Sequence, residues 1–331
     1  MKKKKISHVC IVDTVYTLMF YYLNYSVEEI DNTFFFVSTG IPRSERERLP
    51  QHHFFKKKNS ILQRFLFRFN LRVFSRLRWS FLKSKPIYGS DHLTFSSGII
   101  GNRKYTLLED GPYTVSYHFD YNYYQEVLKQ RSSKIRNFFV DMLCGRVFLR
   151  PYGDNSQCEH IIFSAEDMHP VLLGKDIQVN PLDKLWEEAS VEKKEKIMRL
   201  FDITDNDITF LNSKPIILLT QTFFKDNVIS EEEQVQIYDK IIKQYPTKDI
   251  ILKPHPRDPI NYSYYFPDIA IFEKILPNQL LNLLDVRFKK AVTVTSSSVL
   301  SFPYKIEIDW IGTKIHPKLI EALGDIKMPN T

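Results

Sequence analysis

The sequence has no glycine-rich phosphate loop: neither GxGxxG nor GxxxxGKS or GxxxxGKT occurs, and GxSxG is absent as well. Dinucleotide oxidoreductase and P-loop nucleotidase readings therefore lose their main support. Cysteine is scarce too. Cys10, Cys144 and Cys158 lie far apart without a CxxC pair, which argues against a disulfide framework or a structural zinc site and fits a reducing cytosol. No run reaches the roughly 18 to 20 uncharged apolar residues of a spanning helix. The start, MKKKKISHVCIVDTVYTLMFYYL, is broken by Asp13 and lacks a small-residue cleavage site, so neither a signal peptide nor a membrane span is expected. It reads as a buried strand that turns at Asp13 and Thr14 into a helix.

Acidic residues are missing from Arg48 to Ser90, in a chain whose net charge is +7. Within that stretch, over residues 56–85, ten lysines and arginines alternate with Phe, Leu and Trp. Arg64, Arg68, Arg72 and Arg76 recur every four residues and form one basic stripe on a helix, while Leu62, Phe65, Phe69 and Phe81 leave much of the rest apolar. This pattern predicts an interfacial helix for an anionic bilayer, or else an ordinary helix with a solvated basic face and its apolar face in a core or dimer interface. No RNP, zinc-finger or helix-turn-helix signature accompanies the charge, so nucleic acid is not an expected partner.

With 331 residues and 43% apolar content, the chain is long enough for two domains with their own cores. In the first half ISHVCIV, DNTFFFVST, KYTLLEDG, VFLRPYG and EHIIFSAEDMHP read as strands, and residues 115–143 as a helix. In the second half strand and helix alternate about every 25 residues, the rhythm of a parallel sheet with crossover helices. Two α/β domains, 1–190 with the basic segment 48–90 and 191–331, are expected to face each other across a cleft.

Parallel sheets bind ligands beyond the carboxyl ends of their strands. The candidates there are Thr220-Gln221-Thr222, Lys253 with His255, Ser296-Ser297-Ser298, and Glu109-Asp110-Gly111. Pro254 and Pro256 fence His255, and proline restricts both its own φ and the residue before it. The imidazole is thus aimed in advance and titrates near neutral pH, while Lys253 and Arg257 suit a phosphate. The serines follow a β-branched run, where hydroxyls and helix-turn amides hold an anion. Glu109 and Asp110 offer paired carboxylates, and Asp226 offers another beyond LLTQTFFK. The DxD triplet Asp205-Asn206-Asp207 precedes its strand and reads as a solvated turn, so no metal site is expected.

LEDG (108–111), KPHP (253–256) and SSS (296–298), in this order, resemble the D/E-D/E-G, HP and S motifs of bacterial sialyltransferases. With LLTQTF, ISEEEQ, IYDKI and LPNQLLNLL the chain looks most similar to the lipooligosaccharide sialyltransferases, glycosyltransferase family 52, over roughly residues 105–325. The resemblance implies a GT-B fold of two Rossmann-like domains and metal-independent, inverting transfer from CMP-N-acetylneuraminic acid, with no cofactor. The acceptor it implies is a terminal galactose of a lipooligosaccharide or capsular glycan. It also implies His255 as the general acid, Ser297 and Ser298 as phosphate ligands, and Asp110, beside Glu109, or Asp226 as the base. A cytoplasmic enzyme peripheral to the inner membrane, at which its lipid-carried acceptor is built, follows from the basic segment, and the aromatic content makes a homodimer an expectation. Two alternatives stay open: another nucleotide-sugar donor on the same fold, and a non-enzymatic polyanion binder built on the arginine stripe.

Overall fold

The computed structural model describes residues 5–58, 60–111, 114–116, 133–167 and 169–328. The chain divides into two compact units, Met1–Leu200 and Phe201–Thr331. Among the described residues, unit 1 has the parallel strands β1 (His8–Val12), β2 (Thr33–Val37), β3 (His52–Phe54), β4 (Ile87–Gly89), β5 (Tyr105–Leu108), β6 (Cys158–Phe163) and β7 (Asp176–Val179), in the order β3-β2-β1-β4-β5-β6-β7. All five residues of β1 are buried, as a strand covered on both faces requires. The helices of the unit are α1 (Val15–Asn24), α2 (Val27–Asp31), α3 (Arg43–Arg48), α4 (Ile61–Arg78), α5 (Ser96–Ile100), α6 (Lys134–Cys144), α7 (Arg146–Leu149), α8 (Leu182–Glu188) and α9 (Val191–Leu200). Thr14 caps α1, its hydroxyl accepting from the Thr17 amide at 3.1 Å, so the chain turns into the helix directly at the end of β1.

Unit 2 repeats the plan with β8 (Ile216–Leu219), β9 (Ile250–Lys253), β10 (Ala270–Ile271), β11 (Lys290–Thr293) and β12 (Glu307–Trp310), all parallel, in the order β10-β9-β8-β11-β12. Its helices are α10 (Asp205–Asn212), α11 (Glu231–Ile242), α12 (Tyr262–Tyr265), α13 (Asn278–Leu283) and α14 (Pro317–Leu323). Leu218, Ile250, Leu252 and Val292 of the strands pack with Ile237, Tyr238 and Ile241 of α11. Ser230 and Glu233 close a capping box, and Glu231 to Glu233 fill the first turn of α11, where carboxylates oppose the helix dipole. Two parallel α/β units of this kind make the fold GT-B-like.

Three local expectations are corrected. VFLRPYG is not a strand: Arg146–Leu149 is helical and Tyr152 (φ 59°) and Gly153 (φ 81°) adopt left-handed backbone. The buried carboxylate of Asp91 enforces that turn by accepting both of their amides, at 2.7 and 2.8 Å. Asp205-Asn206-Asp207 is not a turn either, because the capping box of Thr204 and Asp207 starts α10 there and Lys274 pairs with Asp207 at 2.7 Å. Of the helix expected over 115–143, residues 117–132 lie outside the described residues.

The third correction concerns α4. Its arginine stripe is not the solvated face: Arg64, Arg68 and Arg72 are half-buried. The Arg68 guanidinium lies 4.2 Å over the Phe148 ring, and Arg72 donates to the Met142 carbonyl at 3.2 Å. Most of the apolar residues face outward instead, Leu71 and Phe67 excepted, with Ile61 81%, Leu77 75% and Leu62 66% exposed, beside Ile135 and Phe138 of α6 at 74% and 67%. Among the described residues no helix is long and apolar enough to cross a membrane.

Candidate functional site

In unit 2 the chain passes from β8 to β9 on one side and to β11 on the other, so the sheet order reverses beside β8. A ligand site is expected at the carboxyl ends around such a point. Thr220, His255 and the serines all lie there.

The conformation of His255 is set by its neighbours. Its amide donates to the Thr220 hydroxyl at 2.9 Å, and its Nδ1 accepts from the Arg257 amide at 3.1 Å. An accepting Nδ1 leaves Nε2 as the proton-bearing nitrogen of the neutral ring. Burial pushes the His255 pKa down to about 4, helped by the charges of Arg257, Lys253 and Lys225 and opposed by that of Asp226. Lys253 is buried, with its ammonium 3.3 Å from the Leu276 carbonyl, and burial brings its pKa down to about 8. Among the described residues Lys253 has no ion-pair partner, so positive charge gathers around His255, and an entering anion relieves the repulsion.

The other residues take distinct places. Ser296 is buried and caps the short turn Ser297–Ser301, its hydroxyl accepting from the Ser298 amide at 3.3 Å. Ser297 is exposed and Ser298 half-buried at the same strand end. The Gln221 amide donates to the Tyr238 hydroxyl at 2.7 Å, and the buried Thr222 donates to the exposed Asp226. Pro254, His255 and Pro256 line a cavity of about 270 Å³ with Asp258, Tyr262 and Glu273.

Unit 1 has its own reversal beside β1, where β2 lies on one side and β4 on the other. Asp13, at the end of β1, accepts from the Gly40 amide at 2.9 Å and from the Ser38 hydroxyl. Only glycine permits that approach, since a Cβ on residue 40 would stand 1.7 Å from the Asp13 carbonyl oxygen. Burial raises the Asp13 pKa, and the like charge of Asp110 adds to the rise against the hydrogen bonds from Ser38 and Gly40. Asp110 accepts from Thr14 and Thr17 at 3.1 and 3.0 Å and faces His92 Nε2 at 3.6 Å. The His92 ring stacks on Tyr152 at 4.8 Å. Glu109 is buried, takes a hydrogen bond from Tyr16, and has its pKa raised by burial against the bonds from Ser164 and Tyr16. Asp110 is thus the accessible member of the two.

Thr220, Lys253, His255 and the serines are therefore gathered at neighbouring strand ends of unit 2, with the Asp226 charge felt at His255, while Glu109 and Asp110 belong to unit 1. Asp13, His92, Asp258 and Gln234 escaped the motif reading. Asp13 carried a faint signal, a carboxylate closing a buried apolar run. Among the described residues no group of three or more His, Cys, Asp or Glu is placed to hold a metal ion.

The fold together with the family match identifies the chain as a glycosyltransferase. More particularly, the chain belongs to glycosyltransferase family 52, whose model matches residues 46–319. An uncharacterized protein of Haemophilus influenzae is 30% identical over 246 residues, 74% of each chain. Similar crystal structures include a 2,6-sialyltransferase of a Photobacterium species in complex with CMP and lactose, with a TM-score of 0.60 and 13% identity over 92% of this chain and 71% of that one. Another is an α/β-galactoside α-2,3-sialyltransferase of Photobacterium phosphoreum, with a TM-score of 0.55 and 15% identity over 93% of this chain and 90% of that one. At such identities the two structures speak for the fold.

Proposed function

We propose that the protein transfers N-acetylneuraminic acid, with inversion and without a metal, from CMP-N-acetylneuraminic acid to a terminal galactose of a bacterial lipooligosaccharide or capsular glycan. The observation that carries the reading is His255: a ring fixed with Nε2 as its donor, among Lys253 and Arg257, with the serine turn of β11 two strands away at the same end of the sheet. Unit 2 takes the donor. Its phosphate meets the cations and the hydroxyls of Ser297 and Ser298, and its negative charge favours the imidazolium that burial disfavours, whose second proton goes on Nδ1 in place of the hydrogen bond from the Arg257 amide. As the bond from the anomeric carbon to the phosphate oxygen breaks, the electron pair goes to that oxygen and His255 Nε2 delivers its proton there. The acceptor hydroxyl attacks the same carbon and loses its proton to a carboxylate, Asp110 of unit 1 or Asp226 of unit 2.

The apolar face of α4 and α6 is proposed to seat on an anionic bilayer, which carries a lipid-linked acceptor. An exposed patch of this composition requires a cover, and Lys56, Lys57, Lys58, Lys83 and Lys85 around α4 supply charge complementary to anionic headgroups. The donor assignment is tested with a panel of nucleotide sugars, each offered with lactose in the presence of EDTA. Turnover confined to CMP-N-acetylneuraminic acid is expected. Turnover of a UDP- or CDP-linked sugar in its place overturns the donor and leaves the fold assignment standing.

A further inference from the structure

One half-buried carboxylate in unit 2 collects hydrogen bonds that the chemistry above does not use. Asp258 Oδ2 accepts from the Thr220 hydroxyl at 3.0 Å, from Gln234 Nε2 at 2.9 Å and from the Tyr262 hydroxyl at 2.8 Å. Oδ1 accepts from the Ile260 amide at 3.2 Å. The same Thr220 oxygen accepts the His255 amide, and the Asp258 amide donates to the His255 carbonyl at 2.8 Å. Gln234, fully buried on α11, also donates to the Gln221 carbonyl at 2.9 Å and accepts from the Phe224 amide at 2.7 Å. One carboxylate and one amide therefore tie the loop after β8, which leads to Asp226, to the turn after β9, which carries His255.

Taking a carboxylate even partly out of water is costly unless its lone pairs are filled, and here Oδ1 and Oδ2 accept from the groups that fix the turn. We propose that Asp258 is a positioning residue that acts through Thr220 on His255, setting the ring so that Nε2 faces the donor phosphate. The proposal rests on the reading of His255 as the general acid. An asparagine at 258 keeps only one acceptor oxygen, so its amino group faces donors either way, the Ile260 amide at Oδ1 or Gln234, Tyr262 and Thr220 at Oδ2. The turn must then shift.

The test combines Asp258→Asn, Thr220→Val and His255→Ala, with thermal melting to confirm that each folds; Thr220→Val carries the test if Asp258→Asn does not. Asp258→Asn is expected to lower kcat about 100-fold, the scale of a misplacement near 1 Å, with donor KM unchanged. It should cause no further loss in a His255→Ala background. An equal loss with and without His255, or a raised KM with intact kcat, overturns the proposal. A second readout does not depend on turnover: the rate of His255 carbethoxylation by diethyl pyrocarbonate, followed by mass spectrometry against the exposed His160. A His255 rate that changes in Asp258→Asn and Thr220→Val while the His160 rate holds supports the proposal, and unchanged rates at both histidines overturn it. If the wild type turns over no nucleotide sugar, the functional reading fails and this ratio alone decides the positioning.

Discussion

The cations proposed to meet a phosphate also keep the His255 proton away, because burial and the charges of Arg257, Lys253 and Lys225 bring its pKa down to about 4. A bound phosphate reverses the sign of that field. Binding of CMP near neutral pH is therefore accompanied by proton uptake, seen as a dependence of calorimetric enthalpy on the buffer's ionisation enthalpy. Uptake is expected to be greater in the wild type than in His255→Ala, and equal uptake contradicts the account. Lys253 gives a second pH test. Its depressed pKa means that the ammonium is lost as pH rises through about 8, so CMP affinity should fall across that range, and Lys253→Met should flatten the profile. His255 and Lys253 were legible in the sequence because two prolines and a strand end announce them. Asp13, His92, Asp258 and Gln234 were not, since their meaning lies in partners such as Ser38, Tyr152 and Thr220, and tertiary contact alone supplies those.

Among the elements, the buried strands were the easiest to read. IILL of β8 and IILK of β9 are continuous apolar runs apart from one lysine, as parallel strands covered on both faces are. VFLRPYG carries the same apolar signal but bends, because Asp91 captures the amides of Tyr152 and Gly153, a contact that spans about sixty residues. The period of α4 was legible and its orientation was not. Arginine stems can lie against protein while the charged heads find carbonyls and rings, as Arg68 and Arg72 do, so the four-residue spacing of a charge does not say which way it points. The exposed face gives a direct prediction: the protein floats with anionic vesicles and is released as salt rises. Replacing Leu62, Leu66 and Leu77 together with serine should abolish flotation while thermal stability holds, since these side chains are 66%, 54% and 75% exposed. Flotation that survives this triple substitution contradicts the bilayer assignment.

For the whole molecule, alternation of strand and helix pointed to parallel sheets, yet the strand order was beyond reach. Both sheets reverse direction beside one early strand, β1 in unit 1 and β8 in unit 2, and that reversal brings residues from separate strands to one end. β3 and β4, of three residues each, were too brief to show a period, and the edge strands β7 (DIQV) and β12 (EIDW) lack the continuous apolar run that marks β8 and β9. The central claim is that His255 protonates a departing CMP. It is tested most directly by measuring CMP release from CMP-N-acetylneuraminic acid, with lactose as acceptor and EDTA present, for the wild type and His255→Ala. The account predicts acceptor-dependent release that the substitution lowers by about 100-fold or more; release unaffected by the loss of the imidazole would contradict it.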